Sequence, residues 1–138
     1  GVHVHVGTTL GTVEHVNCLI DLLIELEATG SLPVKASRLE FARFMDRAFV
    51  DAFLAARPCS FEELWPRWYG TTDYRPRMRD RFDKSRFRGL NLHSLPFRGT
   101  IEFRYFDGTI DASRIHDHVD LCIELVERAG FPPIGEES

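Results

Sequence analysis

The chain opens with a strict alternation of apolar and polar residues, and a second alternation lies towards its C-terminal end. The first seven residues place valine at every second position, with His3 and His5 between the valines. Residues 100–106 alternate in the same way around Glu102 and Arg104. Successive side chains of a β-strand point to opposite faces. Each segment therefore predicts a half-buried strand that carries two polar side chains on one face.

Apolar residues at helical spacing predict three longer helices in the rest of the chain. These helices cover residues 12–28, 37–57 and 111–129. The second helix begins with the sequence S-R-L-E, which is typical of a capping box, and the third has an aspartate at its N-cap. The apolar face of the first helix is broad, so we expect that helix to be well buried.

Shorter elements are predicted between the second helix and the second strand. A capping box at Ser60 predicts a short helix that ends before Pro66, because proline inside a helix removes a backbone hydrogen bond and clashes with the preceding turn. Residues 69–85 are expected to form a loop and residues 87–95 an extended segment. Residues 96–99 are expected to turn the chain.

The short turn before the second strand predicts that the segments around Asn91 and Glu102 pair in an antiparallel manner. This order of elements favours an α+β fold over a doubly wound parallel sheet, in one domain covering residues 1–138. The chain has 138 residues, of which 43% are apolar and 28% are charged. That composition is typical of a globular protein with a core of its own.

The net charge limits the expected binding partners, and the cysteine content indicates the expected compartment. The formal net charge of −4 argues against a general affinity for nucleic acid, although six arginines and Lys84 cluster between Arg75 and Arg88. The three cysteines are widely spaced, so we expect a reducing, cytoplasmic compartment rather than a disulfide framework or a zinc cluster. No apolar run approaches the roughly 20 residues that span a bilayer, so no membrane partner is expected.

The polar faces of the two strands supply the first candidate ligands. Because His3 and His5 are two residues apart on a strand, their imidazoles can share a metal ion, or a metal ion and its bound phosphate. The alternative is a pair of surface histidines. Glu102 and Arg104 repeat this geometry, and their alternative is an exposed ion pair worth roughly 0–1 kcal/mol.

Residues before and between the predicted strands supply a second group of candidates. Arg86, Arg88 and Asn91 are candidates for an anion cradle that holds phosphate or carboxylate. Arg98 and the arginines from Arg75 to Arg81 are weaker candidates of the same type. A solvated basic loop is the alternative. The other histidines, which we expect to be structural, are His15, His93, His116 and His118.

Three segments taken together resemble the amidoligase family. They are G-V-H-V-H-V-G at residues 1–7, S-R-F-x-x-L-N-L within residues 85–95, and G-T-I-E-F-R-x-F-x-G-T-I-D within residues 99–115. That family is similar to glutamine synthetase and glutamate–cysteine ligase, which are carboxylate–amine ligases. The resemblance covers most of this chain but only the C-terminal part of a family member. Since the sequence also begins in mid-strand, we expect it to be a piece of a longer protein.

The resemblance implies a fold and a role for each candidate residue. The fold would be the antiparallel sheet of the glutamine synthetases, with helices on one face, and it would be incomplete in this chain. His3 and Glu102 would bind Mg²⁺ or Mn²⁺, and His5 would approach the phosphates of ATP. Arg104 would neutralise the transferring phosphoryl group. The remaining candidates are Arg86, as a second catalytic residue, and Arg88, Asn91 and Arg98, as nucleotide- or substrate-binding residues.

The resemblance implies an ATP- and Mg²⁺-dependent ligase that joins an amine to a small-molecule or peptide carboxylate. Related ligases place an E-x-E strand before the H-x-H strand. Two protein ligands are too few for Mg²⁺, which takes six oxygen-rich positions, so the activity of this chain alone stays open. An unpaired strand edge at the start would favour association with a second copy or with an N-terminal segment.

Two interpretations from other classes also remain. The first is a non-catalytic binding module on a truncated ligase fold, whose arginines between Arg75 and Arg88 contact nucleic acid or an acidic partner. The second is a metallohydrolase that holds one zinc ion with His3, His5 and Glu102.

Overall fold

The fold is α+β, as predicted, in a computed structural model that describes residues 2–7, 11–32, 45–106 and 111–131. In chain order, its elements are β1 (Val2–Gly7), α1 (Val13–Thr29), α2 (Arg47–Ala55), α3 (Phe61–Tyr69), α4 (Arg75–Arg79), a 3-10 helix (Lys84–Phe87), β2 (Leu90–Asn91), α5 (Ser94–Arg98), β3 (Thr100–Phe106) and α6 (Ala112–Arg128). Within these residues, no helix is long and apolar enough to cross a membrane.

The three described strands form one antiparallel sheet in the order β1-β3-β2. Asn91 of β2 lies opposite Glu102 of β3, which confirms the predicted antiparallel pairing. On the other side of β3, His5 of β1 lies opposite the same glutamate. The central strand therefore brings one residue from each outer strand to Glu102.

The core lies on the apolar face of this sheet. Val4, Val6, Ile101 and Phe103 are all buried there, as the alternating pattern predicts. Helix α1 belongs to the same core and contributes residues that share one helical face, namely Val13, Val16, Leu19, Ile20 and Leu23. Helix α6 contributes Cys122, Leu125 and Val126. The opposite face of the sheet is left for polar residues.

The two long helices have well-defined ends, and the predicted aspartate cap of the second is present. Thr12 caps α1, because its hydroxyl accepts a hydrogen bond from the backbone N–H of His15. Gly30 ends that helix in a left-handed conformation with φ of 68°. Asp111 caps α6 by accepting a hydrogen bond from the N–H of Ser113 at 3.0 Å.

Helix α2 differs from the sequence prediction at its start. In the described residues it begins at Arg47, and the carboxylate of Asp46 caps it by accepting from the N–H of Phe49. The predicted capping box at Ser37 to Glu40 lies outside the described residues. The helix ends at Ala55, close to the predicted boundary.

The prediction that the next helix stops before Pro66 was wrong. Helix α3 starts after Ser60 as predicted, but it runs through Pro66 to Tyr69. Proline removes one backbone donor from the helix. Two of the three helical residues that follow it, Trp68 and Tyr69, are 0% and 3% exposed, so a large apolar area is buried by continuing the helix.

Residues 69–98 contain more helix than predicted. The expected loop includes α4, and most of the expected extended segment is absent because the 3-10 helix precedes a strand of only two residues. Helix α5 takes the place of the last residues of the predicted extended segment and of most of the predicted turn. It stops at Gly99, which has φ of 66° and donates its N–H to the carbonyl of Leu95 at 2.9 Å.

Candidate active site on the polar face of the sheet

The two polar strand faces predicted from the sequence are one continuous face. His5 and Glu102 are directly opposed across β1 and β3, and His5 Nε2 lies 2.5 Å from Glu102 Oε2. The other ring nitrogen of His5, Nδ1, lies 3.1 Å from the hydroxyl of Thr100. The imidazole is therefore held at both nitrogens by residues of β3.

Glu102 is the centre of this face. Its Oε1 accepts hydrogen bonds from Arg104 Nη1 at 3.0 Å and from Asn91 Nδ2 at 3.2 Å. The residue is only 6% exposed. Burying a carboxylate is costly unless donors surround it. Donors from all three strands meet this requirement, so the polar face is built around one compensated negative charge.

His3 lies beside this cluster rather than in it. The register between β1 and β3 shifts between Val2 and Val4. At this shift the single residue His3 of β1 faces two residues of β3, Arg104 and Tyr105. Partial burial and the nearby Arg104 lower the pKa of the His3 imidazole, and Glu102 opposes them only in part. The neutral form of His3 is favoured.

A cavity of about 500 Å³ opens on the polar face, and it brings most of the candidate residues together. That volume is in the usual range for small-molecule and cofactor sites. Of the eight residues to which the family resemblance assigns a role, six line this cavity: His5, Arg86, Asn91, Arg98, Glu102 and Arg104. The other lining residues are Arg81, Phe82, His93 and Ser94.

Arg86 and Arg88 are separated by the local backbone. Arg86 belongs to the 3-10 helix and lines the cavity, whereas Arg88 follows that helix in an extended conformation. The Arg88 guanidinium lies 4.4 Å from the ring centroid of Trp68 and donates to the Trp68 carbonyl at 2.9 Å. It also lies 3.7 Å from Asp46. Arg88 is thus placed in the α2–α3 region, apart from the other candidates.

The floor of the cavity is fixed by His93, which the sequence indicated only as a structural histidine. His93 is 3% exposed, and its Nε2 lies 2.7 Å from the carbonyl of Asp80. A carbonyl can only accept, so Nε2 carries the proton and Nδ1 accepts from the hydroxyl of Tyr69. Burial raises the pKa of Tyr69, which keeps that hydroxyl protonated.

Sequence reasoning missed Phe82 and gave Arg81 only as a weaker candidate, and both residues line the cavity. Both lie in a segment that was expected to be a loop, and no periodic pattern marks them. The guanidinium of Arg81 lies 5.5 Å, and that of Arg86 5.1 Å, from the centroid of the Phe82 ring. The one available signal was an aromatic residue between arginines, which is also common on solvated loops.

The donors on this face fall short of a metal site. Among the described residues, no group of three or more histidine, cysteine or carboxylate side chains is placed to hold a metal ion. Both oxygens of Glu102 already have partners in Arg104, Asn91 and His5. The predicted pair of His3 and Glu102 therefore does not by itself fit Mg²⁺, and a zinc site shared by His3, His5 and Glu102 is not formed.

The fold and the cavity together define an α+β protein whose sheet carries an arginine-lined site suited to an anionic ligand. Residues 1–126 match the family described as "Putative amidoligase enzyme", so the chain belongs to this family. This match confirms the resemblance seen in the three sequence segments. No curated protein and no solved structure matches the chain.

Proposed function

We propose that this chain takes part in ATP-dependent ligation of a carboxylate to an amine. Membership of the amidoligase family supports a ligase-type function. The observation that carries the proposal is the convergence of Arg86, Arg98 and Arg104 in one cavity beside the buried Glu102. Planar guanidinium groups are well suited to bind phosphate and carboxylate oxygens.

The proposed reaction has two steps. A carboxylate oxygen of the acid attacks the γ-phosphorus of ATP, which forms an acyl phosphate and releases ADP. The nitrogen of the amine then attacks the acyl carbon, the C–O bond to phosphate breaks, and the nitrogen loses a proton as the amide forms. Both steps develop charge on phosphate oxygens, and donors aimed at that charge lower the barrier.

The residues of this chain would act by position and charge. Arg104 is held by Glu102 with a hydrogen bond of 3.0 Å and is a donor for the transferring phosphoryl group. Arg86 and Arg98 would contact other phosphate or carboxylate oxygens, and His5 would bind phosphate from the side of β1. Dependence on Mg²⁺ or Mn²⁺ belongs to the same proposal, although the donors of the described residues do not complete a metal site.

The test uses hydroxylamine as a reactive amine, because it converts acyl phosphates to stable acyl hydroxamates. Purified chain is incubated with ATP, a divalent metal and a set of amino-acid and peptide carboxylates, and ADP and hydroxamate are measured. We expect Arg104→Lys to lower kcat by roughly 100- to 1000-fold with little change in ATP affinity. Equal kcat in that variant would refute the role of Arg104.

Arg86 and Arg88 provide a matched pair for the binding step. Both are arginines of the same short segment, but only Arg86 lines the cavity. We expect Arg86→Gln to weaken ATP binding, while Arg88→Gln leaves it unchanged and lowers stability through the lost contacts to Trp68. The reverse pattern would mean that ATP does not bind in this cavity.

A second candidate function is anion binding without turnover. It is favoured by the incomplete set of metal donors on the polar face. Two of the arginines between Arg75 and Arg88 are engaged within the chain, since Arg77 is paired with Asp83 and Arg88 packs on Trp68. Tight ATP binding that is never followed by ADP formation would favour this candidate.

A further inference from the structure

Phe82 is a large aromatic side chain that stays open to solvent at the edge of the cavity. It is 65% exposed and lines the cavity together with Arg81 and Arg86. An isolated exposed apolar residue needs no functional explanation. Phe82 differs because it lies at an arginine-lined cavity and because its backbone is fixed.

The turn that carries Phe82 is anchored on both sides. The N–H of Phe82 donates to the carboxylate of Asp80 at 2.9 Å, and the carbonyl of Asp80 accepts from the N–H of Asp83 at 3.1 Å. His93 donates to that same carbonyl at 2.7 Å and so connects the turn to the floor of the cavity. The ring is thus presented from a defined position.

The next residue ties the turn to the helices. The buried carboxylate of Asp83 accepts two hydrogen bonds from Arg77, at 2.8 Å from Nε and 3.1 Å from Nη2. It also accepts from the N–H of Ser85 at 2.9 Å. Such a forked pair fixes direction as well as distance. A preorganised aromatic ring loses little conformational freedom when a ligand stacks on it.

The chemistry around the ring combines charge with a π surface. The guanidiniums of Arg81 and Arg86 lie within 5.5 Å of the ring centroid, and Arg98 and Arg104 line the same cavity. Glu102 is the one carboxylate among the lining residues, and it is already paired. A ligand that fits this arrangement carries several negative charges at one end and a planar ring at the other.

We propose that Phe82 is the stacking platform for the base of a purine nucleotide whose phosphates contact Arg86, Arg98 and Arg104. This inference rests on the proposed function and adds to it the residue that selects the base. Bases stack readily on aromatic and guanidinium planes. Purines have a larger π surface than pyrimidines, so the platform favours ATP over CTP.

The test compares the affinities of ATP, CTP and inorganic tripolyphosphate for the purified chain by calorimetry. Phe82→Ala should weaken ATP binding by roughly 5- to 150-fold, which corresponds to the about 1–3 kcal/mol of base–aromatic stacking. Tripolyphosphate has no base, so its affinity should not change. The preference for ATP over CTP should disappear in the same variant.

Two further variants separate stacking from other effects. Phe82→Trp should keep ATP affinity, because indole also offers a planar surface. Leu54→Ala is the matched control, since Leu54 of α2 is 63% exposed and does not line the cavity. It should leave the affinities for all three ligands unchanged.

The outcomes distinguish this inference from the function on which it rests. If the wild-type chain binds ATP and tripolyphosphate equally well, or if Phe82→Ala binds ATP as tightly as wild type, the platform is refuted while the proposed function stands. If the wild-type chain binds neither ligand, the proposed function fails as well. An equal loss of ATP and tripolyphosphate binding in Phe82→Ala would also refute stacking.

Discussion

Replacing the carboxylate of Glu102 is the substitution whose consequences follow most directly from the geometry. The residue is 6% exposed, and its oxygens contact Arg104 at 3.0 Å, Asn91 at 3.2 Å and His5 at 2.5 Å. These contacts join the three strands of the sheet. Removing the acceptor should therefore lower the stability of the whole sheet and not only of one surface position.

The loss of stability depends on which hydrogen-bond acceptors remain at position 102. Glu102→Gln keeps one carbonyl oxygen that can still accept from Arg104 and Asn91, while its amide can donate to His5 if the imidazole proton moves to Nδ1. The three contacts can then persist, but the negative charge that strengthens them is lost, which costs about 1–2 kcal/mol. Glu102→Leu removes the charged partner that Arg104, Asn91 and His5 share, and breaking such a buried interaction costs about 3–5 kcal/mol.

The assay is urea denaturation at pH 7, followed by circular dichroism. Glu124→Gln is the control, because Glu124 lies on the exposed surface of α6. We expect the free energy of unfolding to decrease in the order wild type, Glu102→Gln, Glu102→Leu, with the control equal to wild type. Wild-type stability in Glu102→Leu would refute the conclusion that this carboxylate organises the sheet.

The variant Glu102→Gln also tests how Glu102 affects the binding of ligands. Without its charge, the arginines of the cavity should bind inorganic tripolyphosphate more tightly when no metal is present, by roughly 1 kcal/mol. If Glu102 also binds a divalent metal, as the family resemblance implies, the affinity for ATP in the presence of Mg²⁺ should instead fall. Measuring both affinities in Glu102→Gln separates an organising role from a metal-binding one.

Two further predictions concern the scaffold. Burial would raise the pKa of Asp83, but the hydrogen bonds from Arg77 and Ser85 outweigh it and lower the pKa to about 2. A lowered carboxylate pKa contributes stability that is present above about pH 4 and is lost as the pH falls towards 2. Asp83→Asn should therefore lower the free energy of unfolding by about 2 kcal/mol at neutral pH. In denaturation curves measured across pH, the variant should also show a flatter loss of stability in acid. A Cβ at Gly89 would lie 2.3 Å from Cε1 of the fully buried Tyr105. Gly89→Ala should therefore lower the free energy of unfolding by about 1–3 kcal/mol or more, which thermal melts would detect. An unchanged Tm would contradict this packing.

Much of the architecture could be predicted because it depends on periodic patterns. Alternation in β1 and β3 specified which residues face the core, and the short connection to β2 specified antiparallel pairing at Asn91 and Glu102. The spacing of apolar residues located α1 and α6. These features are local, and burial of the apolar face is what selects them. The pairing of His5 with Glu102 could not be read from either strand alone, because it requires β1 and β3 to be neighbours in the sheet.

The remaining differences arise where short elements follow tertiary packing. Pro66 continues α3 because Trp68 and Tyr69 are buried beyond it, which local propensity does not report. The 3-10 helix that ends at Phe87 separates Arg86 from Arg88, although a continuous extended segment was expected from residue 87. Phe82 was missed because its position depends on hydrogen bonds to Asp80 rather than on any repeat.

Several predictions from the family resemblance await experiment. They include the glutamine-synthetase-like form of the sheet, the use of Mg²⁺ or Mn²⁺, and association with a second copy of the chain. Strand β1 lies at an edge of the described sheet, which is the edge where such pairing would occur.

In the proposed reaction ATP activates a carboxylate by phosphorylating it, and the path of the carboxylate oxygen distinguishes this step from simple ATP hydrolysis. The carboxylate mixture is labelled with heavy oxygen and incubated with the chain, ATP, a divalent metal and hydroxylamine, and the released phosphate is analysed by mass spectrometry. An acyl phosphate intermediate transfers one carboxylate oxygen to phosphate, so the account predicts labelled phosphate in proportion to hydroxamate. Phosphate that is released without the label would contradict it.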